Sequence, residues 1–369
     1  MTIGRDATTR PGKVTIYDVA DLAGVSPSTV SRALSKPGRV SYATAEKVRT
    51  AAAELGYKSR LATLHAADGL DQAPTGNIAI VVADLLNPFF LEIVRGAEHA
   101  ARAQGIQVVI ANVEEHEERS RKAVEALTRH VDGVMLASSR LANQDIEKVA
   151  RTMPAVVINR PVPGVPSVLV DNYEGVIKAA IHLEQQGARS ITYLAGPDRS
   201  WADATRWRGL LDAVGSPSAP LGAAAATFTR STQIPADQAR RLARMNVRMH
   251  RVVEPTALGG RRAFQRWCRE RTDAVLCFND LVAVGFIQQA RAHGMRVPED
   301  VAVIGFDNTE VTTIVTPSLT TVAAPLRAVG RVAAANLIAL IMGVKEPPAR
   351  PRVLPTRLIV RESSVRALR

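Results

Sequence analysis

Two cysteines in 369 residues, Cys268 and Cys277, are too few for a disulfide framework. Neither lies in a CxxC or Cys/His cluster of the kind that holds a structural metal. No apolar run reaches the roughly 18 residues a membrane span needs. The opening "MTIGRDATTRPGK" lacks the apolar core of a secretory signal. Catalytic signatures are also missing: no GxGxxG fingerprint follows the first strand-like run, and there is no Walker loop, HExxH or GxSxG. "EEHEER", Glu114 to Arg119, has metal-friendly letters, but a charge run after a strand fits a solvated loop and helix start better. These absences predict a cytoplasmic protein that uses no metal, cofactor or membrane and turns over no substrate.

The chain is long for one domain, so two or three are expected. Its 46% hydrophobic and 22% charged residues are ordinary for a globular protein. The net charge of +12 is informative because of where it falls. Residues 1–69 carry ten basic against six acidic side chains, and residues 227–271 carry eleven arginines against three acids. Two separate basic regions favour a polyanionic partner, although charge alone does not require one.

The stretch "VTIYDVADLAGVSPSTVSRAL", Val14 to Leu34, holds two short helix signals around one glycine. Thr15 with Asp18 forms a capping box ahead of Val19, Leu22 and Ala23. Gly24 permits a sharp turn, Ser26 is a good N-cap, and Pro27 at the first helical position loses no hydrogen bond. A third helix opens after Ser41 and ends at Gly56. This is helix-turn-helix grammar, whose second helix lies in a major groove. Val30, Ala33 and Leu34 of that helix share a face able to pack on Val19, Leu22 and Ala23. The other face offers Ser28, Thr29, Ser31 and Arg32, hydroxyls suited to phosphates and a guanidinium suited to guanine. By spacing alone an ordinary capped helix pair fits as well.

Beyond a linker-like stretch to Gly76, strand-like runs alternate with amphipathic helices. "NIAIVVAD", "IQVVIANV", "VDGVMLAS", "AVVINRP", "SVLVDN", "ARSITYLAGP", "DAVLCFND" and "VAVIGFDN" mark βαβ units of parallel, doubly wound sheets, with length for two lobes. Residues 215–250 fit poorly and are expected to be an insertion or a diverged, arginine-rich helical segment.

The first 44 residues from Val14 to Tyr57 resemble the headpiece of the LacI/GalR family of bacterial transcription regulators almost position for position. "LNPFFLEIVRGAEHAARAQG", "VDGVMLASSR", "VDNYEG", "CFNDLVAVG", "VPEDVAVIGFDN" and "PSLTTV" are similar to that family's landmarks, in order. The resemblance lapses only in the linker and at 215–250. It implies an α/β chain with an N-terminal all-α helix-turn-helix headpiece and a two-lobed, periplasmic-binding-protein-like core. The expected divisions are a disordered tail at 1–12, a headpiece at 13–58, a hinge at 59–76, a core at 77–362 and a tail at 363–369. Within the core, lobe 1 takes about 77–171 and 324–348, and lobe 2 takes 172–323 and 349–362.

Carried over by residue, the resemblance makes Ser28 and Arg32 base readers and Thr29 and Ser31 phosphate anchors. Pro27 is left with apolar contact only. Thr15, Tyr17, Ser26 and Tyr57 complete the DNA-binding set. In the hinge, "YKSRLATLHAAD" lacks the family's Pro-Asn pair. A gapless alignment puts Ala66 where a leucine wedges into the minor groove, and a two-residue shortening makes Leu64 the wedge. The alternative is a hinge that does not kink DNA in the usual way.

In such sheets ligands sit beyond the carboxyl ends of the strands. Candidate effector contacts are Phe89 or Phe90, stacking on a ring face, and Asn159, Arg160 and Asn279. Asp307 and Asn279 would take hydroxyls, and Arg206 matches the family's effector-binding arginine. Bland readings stand beside these: the phenylalanines as core, Asn279 as a helix cap, Arg160 as a surface charge. The implied function is a homodimeric repressor of a sugar or sugar-acid utilisation operon on a near-palindromic operator. Effector binding would change DNA affinity through coupling between the sites. A secreted solute-binding protein would share the core but not the headpiece. The basic segment 227–271 is expected to be a solvated arginine-rich helix.

Overall fold

The computed structural model describes residues 14–35, 41–55, 74–114, 116–216, 234–343 and 350–366. The N-terminal unit is three helices: α1 (Ile16–Ala23), α2 (Pro27–Ser35) and α3 (Tyr42–Glu54). Asp18 accepts from the Thr15 amide at 2.6 Å and from its hydroxyl at 2.7 Å, tying down the start of α1. Gly24 closes α1 with φ 66°, a left-handed turn that costs glycine little. The core is small: Val19, Ala20, Val30, Ala33, Val48 and Ala51, with Ile16, Ala23, Val25, Ala52 and Leu55 packed against it. The expected role of Leu22 is corrected, since it is 50% exposed. The inward stripe of α1 runs through 16, 19, 20 and 23, the i, i+3, i+4, i+7 positions, and 22 falls outside it.

The rest is two six-stranded sheets. In the first, β1 (Asn77–Val82), β2 (Gln107–Asn112), β3 (Val134–Ala137), β4 (Ala155–Ile158), β5 (Ser167–Val170) and β11 (Arg352–Leu354) lie in the order β11-β5-β4-β3-β1-β2, all parallel. Ile78, Ile80 and Val82 face one apolar layer while Ala79 and Val81 face the other, the alternation of a sheet covered on both sides. Helices α4 (Pro88–Arg102), α5 (Glu117–Leu127), α6 (Asn143–Thr152) and α13 (Leu326–Ile341) cover it. α4 and α13 touch backbone to backbone: a Cβ at Gly330 would lie 1.9 Å from the Ile93 carbonyl oxygen.

The second sheet runs β12-β10-β9-β8-β6-β7, from β6 (Ser190–Ala195), β7 (Asn246–Arg251), β8 (Ala274–Cys277), β9 (Ala302–Asp307), β10 (Thr320–Ala323) and β12 (Arg357–Ile359). Only β12 is antiparallel to its neighbour. It packs with α7 (Asn172–Gln185), α8 (Trp201–Ala213), α9 (Ala236–Leu242), α10 (Ala257–Trp267), α11 (Asp280–Ala292) and the short α12 (Val311–Ile314). The chain passes between lobes after β5, after β10 and after β11. Among the described residues no helix is long and apolar enough to cross a membrane.

Four expectations change here. Residues 349–362 are not all lobe 2, because Arg352–Leu354 pairs with β5 in the first sheet. The supposed tail from 363 is anchored: Ser363 and Ser364 are fully buried, and Ser363 donates to the Val303 carbonyl. Within 215–250, helix α9 is followed by a parallel strand, β7, in register with β6. The segment from 217 to 233 lies outside the described residues. Nor is the basic segment one helix, for its arginines are shared among α9, β7 and α10.

Candidate functional site

The second helix of the headpiece begins with a cluster of hydroxyls. Ser26 Oγ lies 2.9 Å from Ser28 Oγ and 2.8 Å from Thr29 Oγ1, and it accepts from the Thr29 amide at 3.2 Å. Ser26 and Ser28 are exposed, as are Thr15 and, at 66%, Tyr17, while Pro27 and Thr29 are half-buried. Hydroxyls at a helix start lie beside its positive dipole end, a ready contact for phosphate. Ser31 and Arg32 belong to α2, but their side chains lie outside the described residues, and so do Tyr57 and Leu64 entirely.

Between the two lobes lies a narrow, partly open cleft. From lobe 1 come Asn87, Phe89, Phe90, Ser138, Arg140 and Asn159, and from lobe 2 Ser200, Ala202, Arg206, Pro255, Phe278 and Asp307. Asn87 caps α4, accepting from the Phe89 amide at 3.0 Å, and so fixes the two rings that follow. Phe89 and Phe90 meet edge to face at 4.9 Å. Each ring is buried in the lobe 1 core, as the bland reading has it, and each also lines the cleft.

A polar chain joins the two walls. Asn159 donates to Ser138 Oγ at 3.3 Å and accepts from Asn172 Nδ2 at 3.3 Å. Asn172 accepts from Arg206 Nε at 2.9 Å, and another Arg206 nitrogen donates to the Phe278 carbonyl. The Arg206 guanidinium lies 3.5 Å from the centroid of the Phe306 ring, a cation–π contact in a water-poor place. Its third partner, Asp307 Oδ1, is 3.6 Å away, too far for a hydrogen bond. Asp307 Oδ1 is therefore a buried carboxyl oxygen without a hydrogen-bond partner. Burial pushes the Asp307 carboxyl well above its usual range, with Arg206 opposing and Asp280 adding to the shift. Several residues around the cleft also hold left-handed backbone: Ser138 (φ 52°), Asn159 (φ 66°), Asp307 (φ 111°) and Asn308 (φ 59°). Non-glycine residues persist there only where surroundings hold them, and such strain gathers at ligand sites.

Around this centre, α8 is fixed by Asp203, which accepts from Tyr193 at 2.7 Å, from the Gly196 amide at 2.8 Å and from Arg251 at 3.1 Å. On the rim Arg199 of lobe 2 pairs with Glu117 of lobe 1. Glu117 belongs to the "EEHEER" run, whose Arg119 also pairs with Glu114. Among the described residues no group of three His, Cys, Asp or Glu side chains converges on a metal position.

Two expected effector contacts are corrected. Asn279 is a helix cap, accepting from the Val282 amide at 2.9 Å and donating to the Pro255 carbonyl at 2.9 Å, and it does not line the cleft. Arg160 turns to its own lobe and clamps the 139–143 loop through the Ser139 and Leu141 carbonyls at 3.0 and 2.8 Å. Sequence reasoning missed Ser138, Arg140, Asn172, Ser200 and Phe278. Asn172 carried a usable signal, a polar residue directly after the strand "SVLVD".

Burial likewise raises Asp280, next to Asn279, to about 6, with hydrogen bonds from Thr321 and Thr309 opposing. An acid whose pKa is higher folded than unfolded stabilises the fold below its unfolded pKa, and that contribution is lost as pH rises through the folded value. Stability of the wild type relative to an Asp280→Asn variant should therefore decline from pH 4 to pH 6, by about 3 kcal/mol at most. Urea unfolding across that range measures it, and a flat difference would contradict the assignment.

A helical DNA-binding unit followed by a two-lobed core with a polar cleft defines the class of ligand-responsive transcription regulators. Residues 15–59 match the model of bacterial regulatory proteins, lacI family. Residues 75–218 match that of periplasmic binding proteins and the sugar binding domain of the LacI family, and 180–364 a periplasmic binding protein-like domain. The chain is 32% identical over 353 residues to the ribose operon repressor of Halalkalibacterium halodurans, covering 95% of this chain and 97% of that one. The fold is similar to the complex of the transcriptional regulator CelR with cellobiose, at 31% identity and TM-score 0.62, over 95% of this chain and 99% of that one. It is also similar to the lac repressor dimer bound to operator and the anti-inducer ONPF, at 26% identity and TM-score 0.62, over 96% and 100%. The chain belongs to the LacI family of bacterial DNA-binding transcription regulators.

Proposed function

We infer that the protein is a cytoplasmic repressor of a sugar or sugar-acid utilisation operon, released from a near-palindromic operator when a small effector fills the cleft. The observation that carries this reading is the buried Arg206–Asp307 pair, which offers spare N–H groups and one unpartnered carboxyl oxygen at the centre of the polar chain. Hydroxyls of a polyol complement both, and ring faces of Phe89 or Phe90 complement its C–H surface. A ligand touching both walls favours one lobe arrangement, and by linkage that preference appears as altered DNA affinity.

The repressor acts as a homodimer. Support comes from the open edge of lobe 1, where Val109 and Ile110 on β2 are exposed beside Leu86 (87% exposed) and Leu91. An edge strand with apolar outward residues is a poor monomer surface and a good interface. The related lac repressor is a dimer on its operator. A thermal-shift screen against neutral sugars and sugar acids tests the reading. At least one compound should raise Tm and also weaken operator binding by about 5–150-fold, the usual range of such coupling. A full panel without effect on Tm or on DNA would overturn it.

A further inference from the structure

Asp280 stands behind the cleft, 1% exposed at the start of α11, and does not line it. Its carboxylate is nonetheless aimed at the turn that follows β9. Oδ2 accepts from the Thr309 amide at 2.7 Å and from its hydroxyl at 3.0 Å. Oδ1 accepts from the Thr321 hydroxyl at 2.6 Å, and Thr321 Oγ1 in turn accepts from the Asn308 amide at 3.3 Å. The amides on either side of the Asn308–Thr309 peptide thus end on one carboxylate, directly or through one hydroxyl. Asp307, the last residue of β9, and Asn308 after it are both left-handed, a conformation unfavourable for side chains other than glycine. Room for this carboxylate exists because residue 305 is glycine: a Cβ there would come 2.4 Å from Asp280 Oδ1.

We propose that Asp280 is the positioning residue of the effector cleft: it holds the strained 307–309 turn in place, so that Asp307 presents its unpartnered oxygen to a ligand. The proposal rests on the reading of this cleft as the effector site, but the turn and its lock can be tested without any ligand. Charged acceptors make strong hydrogen bonds in a dry interior, and losing one leaves two amide groups to open freely. The same burial that makes the lock strong makes it electrostatically audible to Asp307. Asp280 is a like charge beside it, with Arg206 facing Asp307 and Arg361 and Cys277 facing Asp280.

Full-length protein carrying Asp280→Asn or Asp280→Ala provides the test, read by amide hydrogen exchange and by carbon-13 NMR of labelled aspartate carboxyls. An asparagine can turn its carbonyl oxygen to the Thr309 amide and its NH2 to Thr321 Oγ1, so exchange at 308 and 309 should stay near wild type. Alanine should speed exchange there by about tenfold or more, the loss of a charged-acceptor bond, without equal change in α4 or α7. In Asp280→Asn the Asp307 titration should move down in pH, because a neighbouring negative charge has gone. Uniformly faster exchange throughout lobe 2 in alanine, or an unmoved Asp307 titration in asparagine, would reduce Asp280 to general scaffolding and overturn the proposal. A cleft that proves to bind no effector would leave these signatures intact, so the two failures are distinguishable.

Discussion

Arg206→Ala should abolish the effector response while leaving operator binding in the absence of effector near wild type. The guanidinium serves Asn172, the Phe278 carbonyl and Asp307 at once, and all three are left without it. Breaking a buried ion pair by removing one partner typically costs about 3–5 kcal/mol. Burial already pushes the Asp307 carboxyl above its usual range, and losing the opposing Arg206 charge pushes it further the same way. The headpiece has its own core of six buried side chains and does not draw on Arg206. Fluorescence anisotropy of an operator duplex, titrated with a compound found in the thermal screen, measures the response directly. If the compound still releases DNA from Arg206→Ala at its wild-type concentration, the cleft centre is wrongly placed.

Arg32→Ala should weaken binding to the cognate operator by about 1–3 kcal/mol while changing affinity for random duplex little. The expectation follows from Arg32's position in α2, on the helix that begins with the Ser26, Ser28 and Thr29 hydroxyls. An arginine reading a base edge loses sequence discrimination when truncated, whereas one gripping phosphate loses affinity on every sequence and flattens the salt dependence. Parallel titrations on operator and scrambled duplex at matched salt separate the two. Equal losses on both would assign Arg32 to the backbone.

The headpiece was legible because its signals are local: Thr15 with Asp18, Gly24 and Ser26 each act within a few residues. The sheets were legible because strands buried on both faces are continuous apolar runs, such as "NIAIVV" and "AVLC". β7 was not, since it is an edge strand whose exposed Asn246 and Arg251 and half-buried Arg248 break that run. β11 is three residues long and pairs with a strand over 180 positions earlier, which no local pattern encodes.

In the cleft, Asp307 stood out as a charge at a strand mouth, and Arg206, within α8, by its match to the family's effector-binding arginine. Asn279 misled because an asparagine between a strand and a helix suits a ligand contact and an N-cap equally, and only the α11 amide at Val282 decides between them. Arg160 misled in the same way, since the loop carbonyls that hold it come from β3's side of the sheet. The polar chain through Ser138, Asn159 and Asn172 depends on three chain segments meeting. The hinge leucine Leu64 falls outside the described residues, as does Ala66, where a gapless alignment would put a leucine.

Selective DNA binding is what a repressor of this kind cannot do without. The most direct measurement is the affinity of the full-length protein for duplexes from the region upstream of its own gene and for random duplexes, across a salt series. One upstream fragment should bind at least about 10³-fold more tightly than random DNA at physiological salt. Uniform, salt-sensitive affinity for every fragment, with none preferred, would contradict it.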